Sequence, residues 1–568
     1  MNSNENNESK VLDGEMLAKM AQGGAVLLRA NAGEVNNLNV FPVPDGDTGD
    51  NMSMTIESGV SALKKVDTNN LADVMSAFSR GTLLGARGNS GVILSQFFAG
   101  MAKGLENCET ADVDIVGKAL QIGVDQAYKS VLTPTEGTIL TVARESVEYA
   151  VSNIDSKSTI RSLFDDLSRE MDASLRRTPM LLKALREASV VDSGGAGLLY
   201  IMKGFLQVLN GEEVNFPQEE RVLPVAKVDF SSFGPDSIME YGYCTEFLLQ
   251  LQNGKVDVDS FDVSLVTDFL KTVGDSIVAF KTDSIVKVHV HTMTPEKVLG
   301  FCRQYGEFLT MKIENMSVQH NETLTEEEVG ESKDDVSPVT DTVDEQRKKY
   351  GTVAVCSGEG IKAVFEELGT DYVINGGQTN NPSTNDFLAA FENVHAENIF
   401  VFPNNGNIIM AASQAAEMYA KANVYVIESK DLGSGYVALA SMDFDAASAE
   451  DIKEGALSAM QTVKTGCISP AIRDADMNGV HVTNGDYIGF VGKEIVSSCE
   501  SKVGAAAALL DKMFENTDKF MLTVFYGKSA SESENEELQK IFEERHGDKE
   551  VYFLDGGQEI YEYIFIVE

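Results

Sequence analysis

Asp45 and Asp47 stand two residues apart in Asn39-Val40-Phe41-Pro42-Val43-Pro44-Asp45-Gly46-Asp47-Thr48-Gly49-Asp50-Asn51, a spacing suited to gripping a hard divalent cation such as Mg²⁺. Pro42 and Pro44 fix their own φ and push Phe41 and Val43 toward extended geometry, so the acidic turn has little freedom left to lose. Gly46 and Gly49 let the backbone turn sharply enough for the two carboxylates to converge. Mg²⁺ usually takes one or two carboxylates and fills its remaining positions with water and phosphate oxygens, so a polyanionic co-ligand is expected. An Asp/Gly-rich turn that only caps the next helix is the plainer alternative.

Phosphate chemistry has other candidates nearby. No Gly-x-x-x-x-Gly-Lys-Ser/Thr run exists, which excludes that loop as the nucleotide cradle. Gly85-Ala86-Arg87-Gly88-Asn89-Ser90-Gly91 joins two expected helices, and amides at the start of the second can receive phosphate oxygens. Asn89 and Ser90 add side-chain donors, and Arg87 is placed to offset charge. Thr133-Pro134-Thr135-Glu136-Gly137-Thr138 and Val191-Asp192-Ser193-Gly194-Gly195-Ala196-Gly197 also precede helices, with Thr135 and Ser193 as possible N-caps. Their co-occurrence with the paired aspartates in one helical region favours a single Mg-nucleotide pocket.

A second constellation lies in Val286-Lys287-Val288-His289-Val290-His291-Thr292. Two imidazoles at i and i+2 of a strand face the same way, and Cys244 on a neighbouring strand can add a thiolate. A His₂Cys set suits Zn²⁺, with a fourth position left open. Hydrogen-bonded surface histidines beside a buried free cysteine are the alternative.

These residues need elements to hold them. From about Gly14 to Asn210 apolar residues recur at helical spacing, as in Met16 to Ala32, Leu71 to Leu84, Gly91 to Leu105, Val116 to Val131, Gly137 to Val151 and Leu198 to Leu209. Residues 1–210 are therefore expected to be an all-helical domain, followed by a linker at 211–227. Residues 228–319 alternate strand and helix patterns and predict a small α/β domain, with strands at Glu246 to Leu251, Ser284 to His291 and Glu307 to Ile313. The stretch 320–349 is acidic and poor in large apolar residues, the composition of a flexible linker. Residues 350–568 alternate strands and helices in the order that predicts a largely parallel sheet. There, Gly376-Gly377-Gln378-Thr379-Asn380-Asn381-Pro382-Ser383-Thr384 follows a strand and precedes a helix, where the carboxyl edge of a sheet binds ligands.

The whole chain sets further limits. Its 568 residues carry 88 acidic against 46 basic side chains, a formal charge of -42 that repels nucleic acid and anionic membranes. Six cysteines make no disulfide framework and fit a reducing compartment. No run approaches the roughly 18 apolar residues needed to cross a bilayer, and the polar start lacks a signal-like apolar stretch, so a cytoplasmic protein is expected.

Together, the runs Leu38 to Gly49, Gly85 to Gly91, Pro134 to Thr138 and Val191 to Gly195 resemble those of the bacterial fatty acid kinase catalytic subunit. Its N-terminal domain is related to the nucleotide-binding L subunit of dihydroxyacetone kinase. The resemblance implies an α-helical barrel binding ATP with Mg²⁺ through Asp45 and Asp47, a third metal ligand being Asn39 or Asp50. It implies a nucleotide pocket built from Asn39, Thr48 and Asn51, from Asn89, Ser90 and Gly91, and from Thr135, Gly137, Thr138 and Asp192. The middle domain resembles one with a Zn²⁺ site, here Cys244, His289 and His291, with the histidines also implied in catalysis.

The runs at 376–384 and Phe402 to Asn407 resemble the DegV-like fatty-acid-binding fold, implying that residues 350–568 dock a separate fatty-acid-binding protein. The implied reaction is ATP-dependent phosphorylation of a fatty acid to acyl phosphate for phospholipid synthesis, by a homodimer. The alternatives are a kinase of a small polyol or ketose and a non-catalytic nucleotide-sensing scaffold.

Overall fold

The structure, a computed structural model, describes residues 10–38, 43, 46–64, 66, 68–188, 190–212, 243–256, 258, 261, 263–282, 284–315, 347–444 and 448–568. It divides into two compact units, one made of residues 1–216 with 344–568 and the other of 217–343.

Among the described residues the first unit opens with nine helices: α1 (Gly14–Asn36), α2 (Thr48–Leu63), α3 (Leu71–Gly85), α4 (Gly88–Gly104), α5 (Val113–Lys129), α6 (Ile139–Ser152), α7 (Ile160–Leu181), α8 (Lys183–Glu187) and α9 (Ser193–Leu209). A two-residue antiparallel pair, β1 (Val11–Leu12) with β2 (Ala111–Asp112), ties the start of α1 to the start of α5. The helices bury one continuous core that includes Leu28, Met52, Phe78, Phe98, Phe164 and Phe205. Side-chain caps fix several starts: Asp13 accepts from the amide of Met16, and Thr159 forms a reciprocal box with Ser162. Close helix approach depends on missing side chains. A Cβ at Gly204 of α9 would lie 2.4 Å from the carbonyl oxygen of Gly23 in α1.

Among the described residues the second unit is a four-stranded antiparallel sheet carrying two helices: β3 (Tyr243–Leu251), α10 (Ser264–Leu270), β4 (Gly274–Thr282), β5 (Ile285–Thr292), α11 (Pro295–Cys302) and β6 (Gly306–Asn315), in strand order β4-β5-β3-β6. Alternation puts Val286, Val288 and Val290 of β5 in its core with Phe247 and Leu249 of β3. The edge strand β4 is not among the strands expected from sequence.

The rest of the first unit follows from β7 (Lys348–Cys356). After it come α12 (Glu359–Glu367), β8 (Tyr372–Asn375), α13 (Thr384–Val394), β9 (Ala396–Phe402), α14 (Ile409–Met418), β10 (Asn423–Val426), α15 (Leu432–Ala440) and α16 (Ala449–Met460). Strands β10-β9-β7-β8 form a wholly parallel sheet, as strand–helix alternation predicts. The chain then builds a second sheet from β11 (Lys464–Pro470), β14 (Tyr487–Val491), β15 (Glu494–Cys499), β16 (Met521–Tyr526), β17 (Glu550–Asp555) and β18 (Tyr563–Val567), in order β15-β14-β11-β18-β16-β17. Only its β16–β17 pairing is parallel. Helices α17 (Lys502–Met513) and α18 (Glu532–Arg545) pack on this sheet, and a hairpin of β12 (Ala475–Met477) and β13 (Val480–Val482) leaves it. That hairpin turns at Asn478-Gly479, both at positive φ, the backbone a tight Asn-Gly turn demands. Among the described residues no helix is long and apolar enough to cross a membrane.

Candidate functional site

Three helix starts of the first unit converge. The hydroxyl of Ser193, first residue of α9, lies 3.3 Å from that of Thr48, first residue of α2. Asn51, one turn into α2, is buried beside the start of α4, where a Cβ on Gly88 would come 2.8 Å from its Nδ2. Gly88 has φ +59, and a Cβ at Gly91 would strike the Thr55 hydroxyl at 2.4 Å, so glycine is required at both contacts.

Neither Asp47 nor Arg87, the N-cap residues of α2 and α4, caps its helix with its own side chain. Such helix ends present N–H groups and the positive end of the helix dipole to an anion. Asn36 of α1 supports the geometry from behind, its Oδ1 accepting from the Gly49 amide at 2.7 Å. Asp50 is engaged on the same side by Asn36 at 2.7 Å and Arg29 at 3.6 Å.

Asp47 occupies the N-cap position of α2 but makes no capping bond. Its Oδ2 instead accepts from Nδ2 of Asn381, a residue 334 positions later. Asp47, Thr48, Asn89, Asp192 and Ser193 line one side of a cavity of 1980 Å³. Its other side is the carboxyl edge of the parallel sheet, where Cys356 and Asn375 end β7 and β8, Gln378 and Asn380 follow β8, and Asn404, Asn405 and Asn407 follow β9. Here Asn405 donates to Gln378 Oε1 at 2.8 Å, and Asn404, at φ +56, donates to the Val355 carbonyl at 2.9 Å. Lys430, Arg473, Lys493 and Lys528 also line the cavity, together with acidic side chains that include Glu359, Asp431, Asp474 and Glu559. Burial pushes the Cys356 thiol up to about 12 and raises that of Cys467, so desolvation disfavours the thiolate at both.

Asp192 caps α9 by accepting from the Gly195 amide at 2.7 Å, and it also takes the Ile139 amide at the start of α6. Burial pushes its carboxyl up to about 6, with those two amides opposing the shift. Asp192 is thus the hinge-pin between α6 and α9. Ser193, expected as a cap, is the first helical residue, and the α6 cap position belongs to Thr138. Thr138 donates to the Thr135 carbonyl at 2.8 Å, while the Gly137 amide donates to Thr141 at 2.8 Å. Thr135, Gly137 and Thr138 are not among the residues lining the cavity. Ser90 and Gly91 complete the first turn of α4. Arg87, expected to offset phosphate charge, instead donates to the Asn381 carbonyl at 2.6 Å and pairs with Asp386 at 3.5 Å.

Asp45 and Asn39 lie outside the described residues, as do the side chains of Cys244, His289 and His291. The backbone register pairs Cys244 with His291 across β3 and β5, and Asp275 of β4 with His291. Among the described residues no group of three or more His, Cys, Asp or Glu side chains is arranged to hold a metal ion. Mg²⁺ with a polyphosphate does not require one. One carboxylate, two convergent helix starts and two buried amide oxygens without hydrogen-bond partners among the described residues, Oδ1 of Asn89 and of Asn381, fit that pair of ligands.

Sequence comparisons agree with this layout. Residues 42–207 match the DAK2 domain, 240–323 the middle domain of FakA-like fatty acid kinase proteins, and 351–568 the C-terminal domain of the same proteins. Protein YloV of Bacillus subtilis (strain 168) is 40% identical over 568 residues, spanning 98% of this chain and 100% of the relative. The chain belongs to the FakA-like fatty acid kinase family.

Two solved structures resemble parts of this family member. The dihydroxyacetone kinase from C. freundii in complex with AMP-PNP and Mg²⁺ matches 36% of each chain at 21% identity and TM-score 0.28. The Streptococcus pneumoniae Fatty Acid Kinase B3 protein loaded with linoleic acid matches 39% of this chain and 98% of its own at 13% identity and TM-score 0.27. Both likenesses are distant.

Proposed function

We propose that this protein transfers the γ-phosphoryl group of ATP to the carboxylate of a fatty acid presented by a separate DegV-like fatty-acid-binding protein, giving acyl phosphate and ADP for phospholipid synthesis. The observation that carries this reading is the meeting, in one cavity, of Asp47, the starts of α2 and α4, and the carboxyl edge of the parallel sheet. Residues 1–210 would bind MgATP, 228–319 would carry a Zn²⁺ site on Cys244, His289 and His291, and 350–568 would receive the partner, with linkers at 211–227 and 320–349. A cytoplasmic homodimer completes the proposal.

Asp45 and Asp47 would hold Mg²⁺, with Asn39 or Asp50 as a third ligand. When bound, the cation supplies charge neutralisation for the β- and γ-phosphates. Thr48 and the amides of Gly88, Asn89 and Ser90 would hold phosphate oxygens at fixed helix starts, without reorganisation during reaction. Asp192 would keep α9 aligned with α6 at the floor of the pocket.

The acceptor needs little activation. A fatty acid carboxylate is ionised at neutral pH, so one of its oxygens attacks the γ-phosphorus while the bond to the β-bridging oxygen breaks and ADP leaves. No proton has to be removed from the nucleophile, and catalysis becomes alignment plus charge stabilisation. A catalytic role for His289 and His291 is part of the same reading. Calorimetry of the full chain with AMP-PNP tests the reading: uptake should require Mg²⁺, and Mg²⁺-independent or absent uptake would reject it.

A further inference from the structure

The edge of the helical domain proposed to hold the cation is built into the C-terminal domain. Val43, within the acidic segment, is buried in a cluster with Ala471, Val482, Ile488, Phe490 and Ile495. Ala86 and Val92, on either side of the Gly88 turn, belong to the cluster of Val353, Phe387 and Phe391. Between these anchors the amide of Thr384 donates to the Ala86 carbonyl at 3.1 Å, and Arg87 clamps the Asn381 carbonyl. The backbone at Asn381 is therefore held in place independently of its side chain.

That side chain is 1% exposed and reaches the carboxylate of Asp47. Its Nδ2 donates to one oxygen of Asp47, and its own Oδ1 is buried with no hydrogen-bond partner among the described residues. An orphaned buried carbonyl costs free energy unless something polar meets it. A ligating carboxylate gains orientation and affinity when a fixed donor holds its second oxygen.

We propose that Asn381 is a positioning residue of the C-terminal domain for the divalent cation: it holds Asp47 in its ligating orientation and offers its Oδ1 to the cation's hydration shell. This rests on the reading of Asp47 as a cation ligand and extends it, because part of the cation's immediate surroundings then comes from the partner-docking domain.

The test measures AMP-PNP binding by the full chain at stepped free Mg²⁺. Asn381→Ala should raise the Mg²⁺ concentration at half-saturation about tenfold, with an unchanged melting temperature in the absence of nucleotide. Asn381→Leu, which keeps the side chain's shape while removing both polar atoms, should do the same and guards against a void-induced folding defect. Gln414→Ala removes another contact across the same interface, to the Leu83 carbonyl at 2.8 Å, and should leave the Mg²⁺ dependence unchanged. Wild-type behaviour of both Asn381 variants would overturn the proposal. So would a lowered half-saturation point, which would make Asn381 a competitor of the cation, or an equal shift in Gln414→Ala, which would make the effect general loosening. Asp47→Asn separates the two levels. If it leaves Mg²⁺ dependence intact, the cation-site reading fails; if it abolishes that dependence while the Asn381 variants behave as wild type, only the positioning role fails.

Discussion

An N-cap aspartate that forgoes its own helix gives up an interaction typically worth about 1 kcal/mol, and Asp47 does so at the start of α2. Removing its charge should therefore leave the fold intact while disabling the site. Asp47→Asn is expected to lower turnover by orders of magnitude and weaken Mg²⁺ dependence, with an unchanged melting temperature; kinetics at stepped Mg²⁺ would expose retained activity. Asp192 makes the opposite trade, since it caps α9 and takes the Ile139 amide at the expense of burial. Its folded-state carboxyl, raised from 3.8 to about 6, binds a proton that the unfolded chain has already released. Its contribution thus favours folding at low pH and declines as pH rises from 3.8 to about 6. Asp192→Asn should remove that decline, visible as a wild-type melting temperature that falls relative to the variant across this window. The Gly88 turn at the start of α4 and the helix start at Ser193 are legible in their local runs. The link between Asp47 and Asn381 is not, because a contact across 334 positions leaves no trace in local spacing.

Helices read well from periodicity because their apolar stripes are long. Val116 to Val131 and Leu71 to Leu84 anticipated α5 and α3 to within a few residues. Edge strand β4 was harder to read, since it pairs only with β5 and follows α10 through a short turn. The β12–β13 hairpin left a usable signal in Met477-Asn478-Gly479-Val480, and its tip lines the cavity. What no pattern announces is how closely two helices approach. Where α1 crosses α9, Gly204→Ala should destabilise the protein by about 1–3 kcal/mol because its Cβ has no room. Gly33→Ala, which meets nothing within 4 Å, should stabilise it by about 0.5–1 kcal/mol through helix propensity. Urea denaturation of the two variants in parallel would reveal any failure of this contrast.

At the scale of the molecule, two regions far apart in sequence share one compact unit and one cavity, while the middle region folds as its own unit. Sequence order separates 1–210 from 350–568, so their union in one unit is not legible from it. The proposed Zn²⁺ belongs to that middle unit, where the register sets Cys244 opposite His291. Elemental analysis of the full-length chain should find one zinc per chain, lost in Cys244→Ser, and zinc absent from both would reject the site. The account as a whole stands on phosphoryl transfer to a carboxylate. In a single turnover with γ-labelled ATP, Mg²⁺ and a fatty-acid-loaded DegV-like protein, the label should move to acyl phosphate with one ADP formed per label transferred. ADP formation that ignores the fatty acid, or label that moves instead to a ketose or polyol, would contradict it.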